Sequence, residues 1–362
     1  MSDKKETVAI IGTNGIPAKY GGFETLAQHL TINLKADFNF VVYCSKTPKK
    51  DRLQYFNDAK LIYFPFKANG WQSIIYDTLT MIHAWFKYDK LLILGYSSAF
   101  IFPFKFLFGK KIVLNIGGID WARDKWNYAV RMFIKISEKI CVKFSDVIVT
   151  DNRHIQKLYK QIHKSDSVLI EYGGDHVKKI SPKKEHLSKY PFLKGKYTAS
   201  VSRAQSDNNL HMLLKAYESL PNDVLVLVSN WHISEYGQTL RKQYKDKFPN
   251  IFVVDAIYDQ EELDIVRGNA SLYIHSHSFC GTAPSLVEAM NLPLPIICYG
   301  AETNLETTEM KSYYFKNEEE LIDLINGMTD EKLEELRAEM KEIAERRYTW
   351  PIIARKYGEC LS

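Results

Sequence analysis

No apolar run in this chain reaches the ~18 residues that a membrane-spanning helix requires. The nearest stretch lies between Lys90 and Lys105 and is broken by Gly95, Tyr96, Ser97, Ser98 and Pro103. It does not cross a bilayer. The N-terminus also lacks the charged-then-apolar profile of a secretory signal. Cysteine is sparse: Cys44, Cys141, Cys280, Cys298 and Cys360 make an odd number without a C-x-x-C spacing. That usage predicts reduced thiols in a cytoplasmic protein. The absence of G-x-G-x-x-G disfavours a dinucleotide-dependent oxidoreductase. No helix-turn-helix, zinc-finger or RNA-recognition signature is present, which sets nucleic acid aside as a partner. There is also no internal repeat or low-complexity tract.

What is present is a regular alternation of short apolar runs and helical patterns. Spread over 362 residues, it exceeds one ordinary core, so two domains of about 150 to 200 residues are expected. Strand-like runs fall at Val8–Ile11, Phe38–Tyr43, Lys60–Phe64, Leu91–Leu94, Lys111–Asn115 and Asp146–Thr150. They resume at Tyr197–Ser202, Val224–Val228, Ile251–Val254, Leu272–His275 and Pro295–Cys298. Helical patterns between them, such as Ser73–Phe86 and Tyr128–Phe144, predict an α/β protein with parallel sheets covered on both faces. The polar, lysine-rich stretch 178–196 reads as the interdomain linker. The expected domains are 1–172 and 173–346, with a last segment 347–362 packing back on the first.

Charge divides along the same line. Residues 1–172 hold 25 Lys and Arg against 15 Asp and Glu, and the remainder holds 23 against 28. A basic first half suggests an anionic partner. Phe100–Lys111 interleaves large aromatics with lysines, as interfacial segments do. A buried helix ending in a lysine-flanked turn fits the same pattern slightly better.

Two glycine-bearing loops carry the chemical signal. Gly281-Thr282-Ala283-Pro284-Ser285-Leu286-Val287-Glu288-Ala289-Met290 follows the apolar run Ala270–Ile274. It reads as a strand, a turn and a helix start, with Thr282 as N-cap and Pro284 in the first turn. Such a start offers unpaired backbone N–H groups and the positive end of a helix dipole to a phosphate or diphosphate. Glu288, about one turn further in, is placed to accept bonds from sugar hydroxyls. An ordinary capped helix fits this stretch equally well. The second loop runs from Gly15 to Thr25, and its Gly21-Gly22 pair lets backbone N–H groups approach an anion. A plain turn is the alternative there.

Gly15-Ile16-Pro17-Ala18-Lys19-Tyr20-Gly21-Gly22-Phe23-Glu24-Thr25 resembles the opening motif of bacterial rhamnosyltransferases within the family 4 glycosyltransferases. Gly118-Ile119-Asp120-Trp121-Ala122-Arg123-Asp124-Lys125-Trp126 resembles that subgroup's central G-x-[ED]-W-x-R-x-K-W, and Gly281 to Met290 resembles its G-T-N-P-S-L-x-E-A-M. The resemblance implies the GT-B fold, two Rossmann-like domains facing across a cleft. It implies a nucleotide-sugar held by the second domain, an acceptor held by the first, and retention at the sugar carbon. The expected donor residues are Gly21, Gly22, Asn208, Gly281, Thr282, Pro284, Ser285, Leu286 and Glu288. Lys19, Tyr20, Trp121, Arg123 and Lys125 are expected to meet the acceptor, and Asp120, Arg203 and Glu288 to be catalytic. The expected activity is transfer of L-rhamnose from dTDP-rhamnose to a polyprenyl-diphosphate-linked saccharide at the inner face of the cytoplasmic membrane, with the enzyme peripherally attached. A non-catalytic scaffold on the same fold is the alternative.

The chain contains no Asp-x-Asp pair for a divalent ion, so neither metal nor cofactor is expected, and the departing diphosphate must be met by cations and backbone dipoles. Arg203, just after the strand Ala199–Ser202, is the best cation, because a guanidinium can bridge two phosphate oxygens. Three departures from the wider family stand out. Asn208 occupies the position of a lysine. Cys280 stands where many relatives carry the first glutamate of an E-x7-E pair. Asp120, rather than a histidine, is the ionisable group nearest the end of the fifth main strand. His275 and His277 are further candidates for bonding sugar hydroxyls, although a histidine at a strand end is more often structural.

Overall fold

The structure, a computed structural model, describes residues 5–19, 21–107, 109–119, 121 and 127–362. They form two compact units, residues 1–171 with 350–362, and residues 172–349.

In the first unit the strands are β1 (Thr7–Ile11), β2 (Asn39–Cys44), β3 (Tyr55–Phe56), β4 (Ala59–Tyr63), β5 (Lys90–Leu94), β6 (Lys111–Asn115), β7 (Val147–Thr150) and β8 (Val168–Leu169). They lie in the order β3-β4-β2-β1-β5-β6-β7-β8. Pairing is parallel except between β3 and β4. The central runs are apolar on both sides, as a sheet covered by helices on both faces requires; Val8 to Ile11 are all fully buried. The helices are α1 (Gly22–Asn33), α2 (Gln72–Trp85), α3 (Tyr128–Phe144) and α4 (Arg153–His163). Asn127 caps α3 by accepting from Val130 N at 3.0 Å, and Asn152 caps α4 through His154 N at 2.9 Å, each satisfying an orphan donor of its first turn. A 3-10 helix, Ala99–Leu107, follows β5. It is not the buried helix favoured above. Only Ala99, Ile101 and Phe102 are buried, while Phe100, Phe104, Phe106 and Leu107 stay exposed.

The second unit begins with a short helix, α5 (Lys184–Lys189), in the stretch expected to be a linker. Tyr190, Phe192 and Leu193 beyond it are buried, and Phe192 packs against Tyr197 and Phe252 with ring centroids 5.2 Å away in both cases. The lysines had masked an apolar anchor. The strands are β9 (Thr198–Val201), β10 (Leu225–Ser229), β11 (Ile251–Asp255), β12 (Leu272–His275), β13 (Ile296–Tyr299) and β14 (Tyr313–Phe315). All pair in parallel, in the order β11-β10-β9-β12-β13-β14. Between them run α6 (Leu210–Glu218), α7 (Glu235–Tyr244), α8 (Gln260–Gly268), α9 (Pro284–Asn291), α10 (Glu302–Thr307), α11 (Glu318–Asn326) and α12 (Asp330–Arg347). Ser234 and Asp259 cap α7 and α8 through Gly237 N and Glu262 N, both at 2.9 Å.

The last helix, α13 (Trp350–Leu361), belongs to the first unit. Trp350 stacks on His29 of α1 at 4.3 Å. Lys356 pairs with the buried Glu171 at 2.7 Å, and Asn115 donates to the Tyr357 hydroxyl at 2.5 Å. Among the described residues, no helix is long and apolar enough to cross a membrane.

Candidate functional site

The strand order of the second unit reverses direction between β9 and β12, both neighbours in the sheet. In open α/β sheets the crevice beyond the strand ends at such a switch point is where ligands bind. Arg203 lies in the loop after β9, and the segment 276–283 lies in the loop after β12. The two loops are laced together. Asn209 Nδ2 donates to Ser276 O at 2.9 Å, Ser276 Oγ to Asn208 O at 2.5 Å, and Ser278 N and Oγ to Asp207 O at 2.9 and 3.0 Å.

This lacing fixes what Asn208 does. It is 2% exposed, and its Nδ2 donates to the Arg203 carbonyl at 2.7 Å. Expected among the donor residues, it is seen here shaping the loop from inside. Arg203 itself is exposed, and its guanidinium makes no hydrogen bond or ion pair with the described residues. It is a free cation at the switch point.

Helix α9 starts with Pro284 at its first position and Ala283 as N-cap, with no side-chain cap. The expected Thr282 cap is thus displaced by one residue, because proline fixes the first helical position and leaves the preceding residue extended. Thr282 is 4% exposed. Leu286 is fully buried, so its side chain serves the core. Gly281, Pro284 and Ser285 are half-buried at the open end of the helix.

Glu288 is held more firmly than its spacing suggested. Its Oε2 lies 2.5 Å from Nη1 of Arg267, and its Oε1 lies 3.4 Å from Nε2 of His176. Arg267 is fully buried and also faces Asp264 at 3.5 Å. Burial opposes the charge on Glu288, but the Arg267 guanidinium, then His176, outweigh it and bring the carboxyl down to about 2. The anion is therefore permanent at neutral pH, and each carboxylate oxygen retains a lone pair for a hydroxyl donor. Neither Arg267 nor His176 stood out in the sequence. The one signal was Asp264-x-x-Arg267 on a helix directly ahead of an apolar strand, a spacing that puts both charges on one helical face. Close packing completes the support: a Cβ on Gly174 would come within 2.5 Å of Val287 O, so only glycine lets this turn lie against α9.

His275 closes β12 and is 1% exposed, its Nε2 buried without a hydrogen-bond partner among the described residues. Burial, and then the neighbouring His277, push its pKa well below the usual imidazole value. The ligand atoms of His275, His277 and Cys280 lie within 4.8 Å of one another. That donor set suits a borderline ion such as Zn2+ rather than the Mg2+ that accompanies diphosphates. Cys280 also lies 3.7 Å from Asn304 Oδ1.

In the first unit's glycine loop a carboxylate of the chain itself lies beside Gly21. The carboxylate of the buried Glu24 accepts from Asn14 N at 2.8 Å and from Asn14 Nδ2 at 2.9 Å. A Cβ on Gly21 would collide with its Oε2. Gly21 thus accommodates the protein's own carboxylate at the start of α1. Trp121 is similarly tied down: its Nε1 donates to the buried Glu138 at 3.2 Å, and Lys135 Nζ sits 4.9 Å from its ring centroid. Lys19 is exposed and without an ion pair among the described residues. Tyr20, Asp120, Arg123 and Lys125 lie outside the described residues. Asp77 on α2 was not anticipated. It is 7% exposed, and burial raises its carboxyl to about 7 against a lowering hydrogen bond from Ser97.

Residues 182–347 match the family described as glycosyl transferases group 1, and residues 5–175 match a domain of unknown function (DUF1972). The chain carries a group 1 glycosyltransferase domain. No curated protein sequence matches it. Among solved structures, sucrose-phosphate synthase from Thermosynechococcus elongatus superposes with a TM-score of 0.81 at 16% identity, covering 98% of both chains. Anabaena HepE in complex with UDP and glucose gives 0.75 at 15% identity over 99% of both chains. A glycosyltransferase from Rickettsia africae gives 0.71 at 14% identity over 98% of this chain and 97% of that one. At such identities the likeness is one of fold: two α/β domains with parallel sheets, the GT-B fold. The region matched by that family lies within the unit that holds Arg203, Glu288 and the laced loops.

Proposed function

We propose that the second unit binds a nucleotide-sugar and that the chain transfers its sugar, with retention and without a metal, to a lipid-linked oligosaccharide held by the first unit. The observation that carries this reading is the pairing, at one switch point, of a free guanidinium with an uncapped helix N-terminus. In this reading Arg203 and the Ser285 N–H at the opening of α9 receive a diphosphate, and Glu288 receives hydroxyls. The three motifs favour L-rhamnose on dTDP, while the HepE complexes with UDP make a uridine nucleotide the natural rival.

In this reading the bond from the sugar carbon to the diphosphate oxygen breaks, and the acceptor oxygen takes its place on the same face. The departing phosphate accepts the hydroxyl proton. Such a route needs no enzyme nucleophile and asks the protein for positioning and charge stabilisation.

Thermal stabilisation by dTDP, UDP, GDP and NAD, each with and without EDTA, tests the reading. A ligand at 100 times its dissociation constant adds about 2.7 kcal/mol. An EDTA-insensitive shift with dTDP supports it. A shift with NAD alone sinks it, and a shift abolished by EDTA transfers attention to His275, His277 and Cys280. A nucleotide shift without sugar transfer to any lipid-linked acceptor favours a scaffold.

A further inference from the structure

Three elements of the first unit back onto the same face of its sheet. Ala9, Ile11, Leu91 and Ile93 on that face share a core with Met81 of α2, Phe102 of the 3-10 helix and Cys141 of α3. The outer sides of these three elements therefore all point away from that face. On α2 the outer side carries Trp71, Ile75, Leu79, Ile82 and Phe86, spaced by four, four, three and four residues along one helical stripe and all exposed. On the 3-10 helix it carries Phe100, Phe104, Phe106 and Leu107, the last two about three-quarters exposed (73% and 75%). On α3 it carries Tyr128, Met132 and Ile136, and the same stripe continues as Lys139 and Lys143.

Folded monomers rarely leave so much apolar surface together. Its charge says what covers it. α2, the 3-10 helix and α3 contain two carboxylates, Asp77 and Glu138, and both are buried. The exposed charges of these elements are lysines: Lys135, Lys139 and Lys143 are exposed on α3. A self-complementary protein interface would be expected to place some anions opposite these cations. The acids beside these lysines, Asp146 and Asp166, are paired with Lys105 at 2.6 Å and Lys160 at 2.8 Å, and a surface of large aromatics and unpaired lysines instead matches the headgroup boundary of an anionic bilayer, where apolar side chains enter and lysines meet lipid phosphates.

We propose that this face, built from the outer sides of α2, the 3-10 helix and α3, docks the first unit onto an anionic lipid bilayer. The inference deepens the lipid-linked-acceptor reading by naming the surface that would hold the enzyme where such an acceptor resides, but its test does not depend on transfer. The full chain is sedimented with vesicles of phosphatidylglycerol and phosphatidylethanolamine, and with vesicles of phosphatidylcholine alone, without donor or acceptor. Binding to the anionic vesicles, weakened by salt and at least about tenfold stronger than to phosphatidylcholine, is expected. Replacing Trp71, Phe104 and Leu107 by Ser, or Lys135, Lys139 and Lys143 by Glu, lowers the bound fraction at least about tenfold. Retained circular dichroism and an unchanged nucleoside-diphosphate thermal shift show that each variant is folded. No vesicle binding, equal binding to both vesicle types, or binding unaffected by either triple variant overturns the proposal. So does a dimer in light scattering that the serine variant turns into monomer, since a second copy would then cover the face. A docking failure alongside an intact dTDP shift leaves the transferase reading in place.

Discussion

The Arg267 guanidinium and the Glu288 carboxylate meet at 2.5 Å in the second unit, with the arginine side chain fully buried and the glutamate 15% exposed. Glu288 is therefore the outer end of an internal charge chain that runs back through Arg267 to Asp264. Removing the arginine leaves two carboxylates without their shared cation in a low-dielectric interior. Breaking a buried pair from one side costs about 3 to 5 kcal/mol. Arg267→Met should lower unfolding stability by that order in urea titration and abolish the nucleotide shift with it. A loss below about 1 kcal/mol would show that the pair does not hold the site.

The same pair sets an acid limit. The Arg267 guanidinium holds the Glu288 carboxyl at about 2 in the folded chain against an ordinary 4.5, so the folded state binds its proton more weakly than the unfolded state. Its contribution is complete above pH 4.5 and is lost as pH falls through 2. The stability difference between wild type and Glu288→Gln should be flat from pH 8 to 5 and shrink steadily below that window. A difference that stays constant down to pH 2 would contradict the ion pair.

Asp77 has the opposite sign. Burial holds its carboxyl at about 7 in the fold against 3.8 ordinarily. The folded state keeps the proton longer, so the contribution is complete below pH 3.8 and is lost as pH rises through 7. Asp77→Asn should therefore gain on wild type as pH is raised from 4 to 8, measured as the change in unfolding midpoint of the first unit. Parallel pH profiles for the two proteins would mean that the carboxyl is not desolvated as the structure has it.

Much of the fold was legible because parallel strands buried on both faces announce themselves as short apolar runs, and 7–11, 111–115 and 272–275 lie within a residue of where the apolar residues predict them. The short edge strands at 55–56 and 313–315 carry too few residues for a pattern. The loops of the candidate site were legible in part. Pro284 and Glu288 follow from local helix chemistry, whereas Arg267 and His176 reach Glu288 from 21 and 112 residues away, and no local pattern encodes such a meeting. Asn208 and Gly21 were read as ligand-facing because polar and glycine positions in loops look alike from outside. In the structure the Asn208 amide meets a backbone carbonyl, and Gly21 lies beside the Glu24 carboxylate. The apolar outer stripe of α2 was hidden for another reason: a helix that is apolar on both sides reads simply as a core helix.

The return of α13 to the first unit includes one small polar contact in its interior. Asn115 is 4% exposed at the end of β6, and its Nδ2 donates to the fully buried Tyr357 hydroxyl at 2.5 Å. Tyr357→Phe leaves that donor without its acceptor, at a cost of about 1 to 3 kcal/mol. Amide exchange should speed up in β6 and its neighbours while β9 to β13 keep wild-type protection. Equal loosening of both units would mean that α13 is not an element of the first unit alone.

Arg203 separates binding from stability. Its side chain is exposed and makes no ion pair with the described residues, so Arg203→Ala should leave the unfolding midpoint within about 0.5 kcal/mol of wild type, as surface substitutions do. If the guanidinium receives a diphosphate, its loss removes charge-assisted bonds of about 1.5 to 3 kcal/mol, or roughly 10- to 150-fold in dissociation constant. Calorimetric titration of dTDP and UDP into wild type and variant measures this directly. Arg203→Lys should recover part of the loss, because a point charge still attracts the phosphates but cannot bridge two oxygens. Unchanged affinity in Arg203→Ala would leave the open end of α9 as the only anion receptor on the proposed site, and the free guanidinium would then have no part in binding.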